Sequence, residues 1–184
     1  PLPEAQMDRF MFKLVVYNPS LEELKGIVSM TQKTMGEVAN VACNAEQLLA
    51  MRETANQIPV ADEVLTFAMT LISATHPDSE CASEAAKKYV RLGSSPRGGQ
   101  ALISAAKVLA LMNGRFNVSY SDVASLAFPV LRHRMKMNFE AIAERVSPDE
   151  VIRMILTEVC KKCNVRLDAG ILNTAETGAN KKNK

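Results

Sequence analysis

Helix-forming patterns follow one another along almost the whole chain after residue 20, and they restrict the fold to one built mainly from helices. From Val60 to Ala74, apolar residues recur every three or four positions, the spacing that places them on one face of a helix. The same spacing returns after Arg97 and ends at Gly114, a residue type that commonly terminates helices. Amphipathic helices bury their apolar faces against one another, so the sequence predicts a bundle of about five to seven helices.

Capping residues mark where most of these helices begin. Ser20, Ser119 and Ser147 are each followed three residues later by an acidic residue, which is the pattern of a capping box. Asn44 is a suitable N-cap, and Pro59 can begin the next helix. Together the signals predict helices over about 21–34, 45–56, 60–74, 97–113, 120–134, 138–145 and 148–162.

The first 19 residues differ from the rest of the chain. Residues 3–9 predict a short helix, and residues 11–17 are rich in β-branched and aromatic side chains, which predicts a strand. A single strand leaves its own backbone groups without partners, so it needs a neighbour or a covering helix. This strand is a first indication that the sequence is part of a longer protein.

Composition and charge exclude several classes of function. Of the 184 residues, 47% are hydrophobic and 23% are charged, as in ordinary globular proteins. A net charge of +2 does not favour nucleic acid, and the lysines of residues 180–184 are typical of a solvated tail. No run reaches the roughly 20 apolar residues of a membrane span, and residues 1–9 do not have a signal-peptide pattern. We therefore expect a cytoplasmic protein without a nucleic-acid partner or a membrane span.

Cys160 and Cys163 have the spacing found in metal and redox motifs. A zinc site takes about four ligands, but no second pair of cysteines accompanies them, and His76 and His133 are isolated. A thioredoxin-like motif needs a strand before the pair, which the sequence does not predict. We expect no metal site and reduced thiols, with a zinc or redox protein as the alternative.

An arginine follows the start of the helix that ends at Gly114. Ser95 suits the N-cap and Pro96 the first helical position, which places Arg97 in the first turn. A cation there is disfavoured by about 0.3–1 kcal/mol unless an anion shares the site. A phosphate would bind both the free N–H groups and the guanidinium. Two interpretations stay open: a phosphate contact, or an arginine that is exposed or paired with a carboxylate.

Three segments resemble the MoxR family of AAA+ ATPases and occur in the order that the family has. They are residues 2–11 (LPEAQMDRFM), residues 89–97 (YVRLGSSPR) and residues 130–134 (VLRHR). The resemblance covers residues 1–158, except for residues 75–88, and departs at Gly98 and Gly99, where the family has alanine-like residues. These glycines predict a looser helix start. No family role is implied for Arg132, His133 and Arg134, for which we expect a partly buried helix end with ion pairs.

The resemblance implies roles for two arginines. Arg9 matches the arginine finger, the catalytic residue that one subunit directs at the γ-phosphate bound by its neighbour. Arg97 matches the sensor 2 arginine of the lid, which contacts the γ-phosphate in its own subunit. By the same resemblance, the parent protein would bind ATP and Mg²⁺, form rings with other copies of itself, and remodel client proteins, often ones with von Willebrand factor A domains.

The phosphate-binding loop of such an ATPase does not occur in this sequence. None of the glycines begins the run GxxxxGKS/T, and within this sequence no acidic strand of Walker B type precedes the first family-like segment. The resemblance therefore implies a C-terminal fragment with no cofactor of its own and no activity. Residues 1–19 would end the ATPase core, residues 20–162 would form the helical lid, and residues 163–184 would form a disordered tail. The alternative is a free-standing helical adaptor that binds partner proteins, which does not account for the three matches.

Overall fold

The computed structural model describes residues 3–31 and 40–172, and helices dominate them. In chain order the helices are α1 (Glu4–Met7), α2 (Leu21–Thr31), α3 (Ala45–Asn56), α4 (Asp62–Ala74), α5 (Glu84–Tyr89), α6 (Pro96–Met112), α7 (Tyr120–Leu131), α8 (Phe139–Ala143), α9 (Pro148–Lys162) and α10 (Ala169–Leu172). Two short strands, β1 (Val90–Leu92) and β2 (Lys136–Met137), pair antiparallel. The mainly helical architecture predicted from the sequence is confirmed. Across these described ranges, every helix is too short or too polar to cross a lipid bilayer.

The core is built by α4, α6, α7 and α9. Each helix contributes side chains spaced three or four residues apart, as the sequence pattern predicts. The largest of the fully buried side chains are Phe67, Leu71, Leu102, Leu131, Ile152, Ile155 and Leu156. Phe67 also contacts the ring of Tyr120 edge-on, with 5.3 Å between ring centroids, which joins α4 to the start of α7.

Local hydrogen bonds set most helix starts where the sequence predicts them. Complete capping boxes begin α3 at Asn44, α7 at Ser119 and α9 at Ser147. At Ser20 the backbone N–H donates to the Glu23 carboxylate at 2.7 Å, as a capping box before α2 requires. These starts depend on residues three positions apart, which is why the sequence alone locates them.

Helix α5 and the two strands are not predicted by the sequence. Ser83 caps α5, and the Glu158 carboxylate of α9 also accepts the backbone N–H of Glu84 at 2.8 Å and of Ala85 at 3.3 Å. A carboxylate favours a helix N-terminus because of the partial positive charge there. Since Glu158 is more than 70 residues away in sequence, no local pattern indicates this contact.

The strand predicted over residues 11–17 is not formed, and that prediction is wrong. The described residues place no strand beside this segment, so its backbone has no ladder to join. Instead, the Lys13 N–H donates to the Pro129 carbonyl at 2.9 Å, and the Arg132 guanidinium donates to the Lys13 carbonyl at 2.6 Å. The segment therefore runs without regular structure against the end of α7.

Helices α2 and α3 bury almost none of their side chains. No residue of α2 is buried, and α3 buries Ala55. The predicted apolar side of α3 is present in sequence but exposed, with Leu48, Leu49 and Met51 each about 60% exposed.

The C-terminal region differs from the predicted tail. Residues 163–172 are described and include α10, and Val165, Leu167, Ile171 and Leu172 pack against the core. Residues 173–184, with the basic end of the chain, lie outside the described residues, as does the predicted end of α2 at residue 34. The division of the chain at residue 19 stays a prediction.

Candidate functional site

The end of α7 holds the N-terminal segment through a buried arginine. The Arg134 side chain is 2% exposed, and it donates to the backbone carbonyls of Asp8 at 3.1 Å, Phe10 at 2.8 Å and Met11 at 3.1 Å. It also donates through Nε to the Asp8 carboxylate at 3.1 Å. One guanidinium, with its five donors, thus fixes the backbone on both sides of Arg9.

The two residues before Arg134 extend this contact. His133 lies with Nε2 2.8 Å from the Phe10 carbonyl. Arg132 donates two hydrogen bonds of 2.7 Å to the Asp149 carboxylate. The partly buried, ion-paired helix end predicted for residues 132–134 is confirmed. We call Arg132, His133 and Arg134 the α7 clamp, because all three also bind the backbone of residues 8–13.

Asp8 joins the N-terminal segment to the start of α6. Ser95 occupies the N-cap position of α6, as predicted, and its hydroxyl donates to the Asp8 carboxylate at 2.8 Å. The Ser95 side chain makes no capping hydrogen bond to its own helix, in contrast to the serines that begin α7 and α9. Arg97 follows in the first turn of α6. The fold therefore brings the segments of Arg9 and Arg97 into one site.

Both candidate arginines are exposed. Within residues 3–31 and 40–172, neither the Arg9 nor the Arg97 guanidinium has a hydrogen-bond or ion-pair partner. The carboxylate of Asp8, the neighbour of Arg9, binds Ser95 and Arg134 instead. Two cations near one site are thus available to anions from outside the described residues.

Two glycines allow α6 to begin close to the α7 clamp. A Cβ atom on Gly98 would collide with Ser94 Oγ and would lie 3.1 Å from Arg134 Cδ. A Cβ atom on Gly99 would lie 2.9 Å from Met69 Cε of α4. The sequence prediction of a loose helix start is therefore wrong, because both glycines are buried and tightly packed.

The loop before α6 is fixed to the end of α4. The Ser94 N–H donates to Thr75 Oγ1 at 2.9 Å, and His76 Nε2 donates to the Ser94 carbonyl at 2.8 Å. A Cβ atom on Gly93 would lie 2.7 Å from the His76 ring, so this loop and α4 are in close contact. The start of α6 is thereby held from both sides, by α4 and by the N-terminal segment.

Burial lowers the pKa values of two residues of the α7 clamp, Arg134 and His133. Burial lowers the pKa of Arg134, against the raising effect of the Asp8 carboxylate. The pKa of His133 is lowered as well, mainly by burial and further by the charge of Arg134, whereas the hydrogen bond to Phe10 opposes this shift. At neutral pH the clamp therefore combines a charged Arg134 with a neutral His133.

The described residues contain no group of three or more His, Cys, Asp or Glu side chains placed to hold a metal ion. Cys43, Cys81, Cys160 and Cys163 are free thiols, and burial raises the pKa of Cys160 to about 11. A raised pKa reduces the thiolate that metal binding and redox chemistry require.

Comparison with known proteins identifies the family. Residues 82–155 match the model of the AAA lid domain. The chain is 35% identical over 159 residues to the chaperone MoxR1 of Mycobacterium tuberculosis, an alignment that covers 86% of this chain and 42% of MoxR1. The chain belongs to the MoxR family of AAA+ proteins.

Two further proteins are similar to this chain over most of its length. The MoxR-family chain is 32% identical over 162 residues to the uncharacterized protein YeaC of Bacillus subtilis, with coverage of 86% of the chain and 47% of YeaC. The structure of the chain also matches the crystal structure of a protein from Cytophaga hutchinsonii that is named as a candidate ATPase, with a TM-score of 0.78 and 29% sequence identity. That match covers 85% of this chain and 48% of the Cytophaga hutchinsonii chain. The chain spans about half the length of the relatives it matches.

The segments that resemble the MoxR family in sequence are the ones that meet in the structure. Asp8 lies in the first segment, Ser95 in the second and Arg134 in the third, and they are hydrogen-bonded in that arrangement. The sequence suggests Arg9 and Arg97 as site residues, but it predicts only an N-cap position for Ser95 and ion pairing for Arg134, and it predicts no role for Asp8. The one feature of the sequence that could have indicated these contacts is that all three family-like segments are present. In the structure they contact one another, although long stretches of chain separate them.

Proposed function

We propose that this chain is the lid part of an ATP-hydrolysing MoxR protein, in which Arg9 and Arg97 bind the terminal phosphates of two different nucleotides. The observation that carries this proposal is that both guanidinium groups are exposed and without partners among the described residues, while one hydrogen-bonded site supports their backbones. A solvated surface arginine needs no such support.

Arg9 acts in this proposal as an arginine finger for the nucleotide of a neighbouring subunit. A guanidinium stabilises the charge that develops on the transferred phosphoryl group, an effect of about 10³–10⁵ in rate. Such stabilisation depends on a donor held in position before the reaction. The buried guanidinium of Arg134 supplies that support, since it binds the carbonyls of Asp8 and Phe10 on either side of Arg9.

Arg97 acts as the sensor of the nucleotide in its own subunit. Its position in the first turn of α6 places the guanidinium beside a helix N-terminus, which itself favours an anion. Because α6 packs against α4 and α7 in the core, a phosphate that binds Arg97 would set the position of the lid.

The whole protein would bind ATP and Mg²⁺, assemble into a ring of identical subunits in the cytoplasm and remodel client proteins. The relation to MoxR1, which is named a chaperone, supports the remodelling role. Proteins with von Willebrand factor A domains are the clients that we propose. The 184-residue chain alone would not hydrolyse ATP, because its sequence has no phosphate-binding loop.

The test uses the complete ATPase polypeptide that contains this chain. We expect Arg9→Ala to lower ATP turnover by about 10³-fold or more with nucleotide binding retained. Arg97→Ala should also lower turnover, whereas Arg52→Ala, which changes an exposed arginine of α3, should not. Wild-type turnover in both Arg9→Ala and Arg97→Ala would overturn the proposal.

Mixed rings separate the two roles. Arg9→Ala subunits mixed with subunits whose phosphate-binding loop is inactivated should recover turnover. In such a ring, an Arg9→Ala subunit keeps its phosphate-binding loop and can receive Arg9 from a neighbouring subunit of the other type. Arg97→Ala subunits in the same mixture should not recover, because that arginine serves the site of its own subunit. Recovery in both mixtures, or in neither, would contradict these assignments. Turnover by the 184-residue chain alone with ATP and Mg²⁺ would contradict the lid assignment.

A further inference from the structure

Ser95 departs from the other serines that begin long helices in the described structure. Ser119 and Ser147 each accept a backbone N–H of their own helix, at 3.3 and 3.2 Å. Ser95 occupies the same position and is also followed by a proline, as Ser147 is, but its hydroxyl donates to Asp8 instead. The stabilisation that an N-cap hydroxyl usually gives its helix is therefore replaced by a contact with a segment 87 residues away.

The contact continues from Asp8 into the α7 clamp. Asp8 Oδ2 accepts from Ser95 at 2.8 Å, and its other oxygen, Oδ1, accepts from Arg134 Nε at 3.1 Å. Arg134 in turn binds the carbonyl groups of Asp8 and Phe10, which flank Arg9. The first turn of α6, which carries Arg97, is thus connected to the backbone of Arg9 by consecutive hydrogen bonds.

This connection is positioned to transmit movement. The Arg134 side chain is 2% exposed and the Asp8 side chain 21%, so packing limits the alternative arrangements open to them. Gly98 brings α6 against Arg134, since an added Cβ atom would lie 3.1 Å from Arg134 Cδ. A shift of the first turn of α6 would therefore displace Asp8 and Arg134 together.

We propose that Ser95, Asp8 and Arg134 couple the two nucleotide-contacting arginines. When Arg97 binds the nucleotide of its own subunit, the start of α6 is fixed, and the hydrogen bonds through Asp8 fix the backbone of Arg9. The state of one nucleotide site is then passed to the neighbouring site that Arg9 serves. Ser95, Asp8 and Arg134 are positioning residues, and this inference rests on the proposed function of Arg9 and Arg97.

Ser95→Ala tests the coupling, with Ser147→Ala as the matched control. Ser95→Ala removes the hydroxyl that reaches Asp8 and no capping bond, whereas Ser147→Ala removes a cap and leaves the hydrogen bonds among Ser95, Asp8 and Arg134 unchanged. In the complete ATPase ring, we expect Ser95→Ala to reduce the Hill coefficient for ATP toward 1 and kcat by about fivefold or more, the range of typical coupling between sites. Ser95→Thr retains a hydroxyl and should restore both values.

A purely structural role predicts a different result. Ser147→Ala should lower the Tm and leave the Hill coefficient unchanged, because its cap lies outside the coupled residues. If Ser95→Ala changes Tm, kcat and Hill coefficient no more than Ser147→Ala does, the coupling is overturned. Ser95→Gly, which N-cap positions tolerate, repeats the test if Ser95→Ala does not fold.

Parallel measurements on Arg9→Ala and Arg97→Ala separate the two proposals. Loss of turnover in these variants, together with a Ser95→Ala ring that behaves like Ser147→Ala, would overturn the coupling and leave the proposed function standing. Wild-type turnover in both arginine variants would overturn the proposed function and the coupling with it. Loss of turnover in the arginine variants and of cooperativity in Ser95→Ala supports both.

Discussion

The imidazole of His133 donates from Nε2 to the Phe10 carbonyl at 2.8 Å, while its Nδ1 is buried without a hydrogen-bond partner among the described residues. A carbonyl only accepts, so the proton of the neutral ring lies on Nε2. A second proton on Nδ1 would add a buried cation near Arg134 and Lys13, against the attraction of Asp8. This relationship explains why the pKa of His133 is lowered.

Stability should therefore fall in mild acid. The unfolded chain binds a proton at His133 near pH 6.5, whereas the folded chain binds it at lower pH. The stabilisation is complete above about pH 6.5 and is lost as the pH falls below that value. His133→Gln, whose amide can still donate to Phe10, should lose less stability between about pH 7.5 and 5.5 than the wild type. Urea unfolding at the two pH values measures this, and equal losses would contradict it.

Asp122 should contribute strongly to stability. It is 3% exposed and accepts hydrogen bonds from Arg115 at 2.5 and 2.8 Å and from the Ser119 N–H at 2.9 Å. Burial alone would raise its pKa, but the bonds from Arg115 and Ser119 outweigh burial and lower it. Its stabilisation is thus present at neutral pH and lost as the pH falls below about 4.

We expect Asp122→Asn to lower the free energy of unfolding by about 2–4 kcal/mol at neutral pH, because charged hydrogen bonds are lost in a buried site. Lys25→Ala is the control, since it breaks an exposed ion pair with Glu22 and should cost less than about 0.5 kcal/mol. Chemical denaturation compares the two variants. If the two substitutions lower the free energy of unfolding by similar amounts, burial does not strengthen the contacts of Asp122.

Local signals predicted much of the helical fold. The capping box at Ser119, the stop at Gly114, and the periodic apolar residues of α4 each depend on residues within about two helical turns of one another. For this reason α3 and α9 have the predicted limits to within a residue or two. Local signals do not predict the structure of residues 11–17 correctly. A strand forms only beside another strand, and the local sequence pattern does not show whether one is present.

The candidate site was predictable in part. The motifs suggest Arg9 and Arg97 as site residues, which stays a prediction, and the sequence pattern predicts Ser95 at the N-cap of α6, where it lies. The bond from Ser95 to Asp8, however, joins residues 87 apart, and the Arg134 contacts to the N-terminal segment span more than 120 residues. Such contacts depend on how α6 and α7 pack against the N-terminal segment. That packing cannot be inferred from any short stretch of the sequence.

The cysteines should differ in reactivity. Burial raises the pKa of Cys160 from 9.0 to about 11, and two units reduce its thiolate fraction about a hundredfold near neutral pH. Exposed Cys43 should therefore react with a maleimide well before Cys160 in the folded chain. Mass spectrometry of digested, partly labelled protein measures the order, and labelling in urea provides the control in which the difference disappears. Rapid labelling of Cys160 in the folded chain would contradict its burial.

Alanine substitutions at two helical glycines should have opposite effects. In α2, a Cβ atom on Gly26 meets nothing within 4 Å, so Gly26→Ala should stabilise by about 0.4–1 kcal/mol because alanine restricts the unfolded chain. In α6, a Cβ atom on Gly98 collides with the buried hydroxyl of Ser94 and crowds Arg134, so Gly98→Ala should destabilise by about 1–3 kcal/mol despite its better helix propensity. Unfolding midpoints of both variants test this. A stabilising Gly98→Ala would show that α6 does not begin in close contact with the α7 clamp.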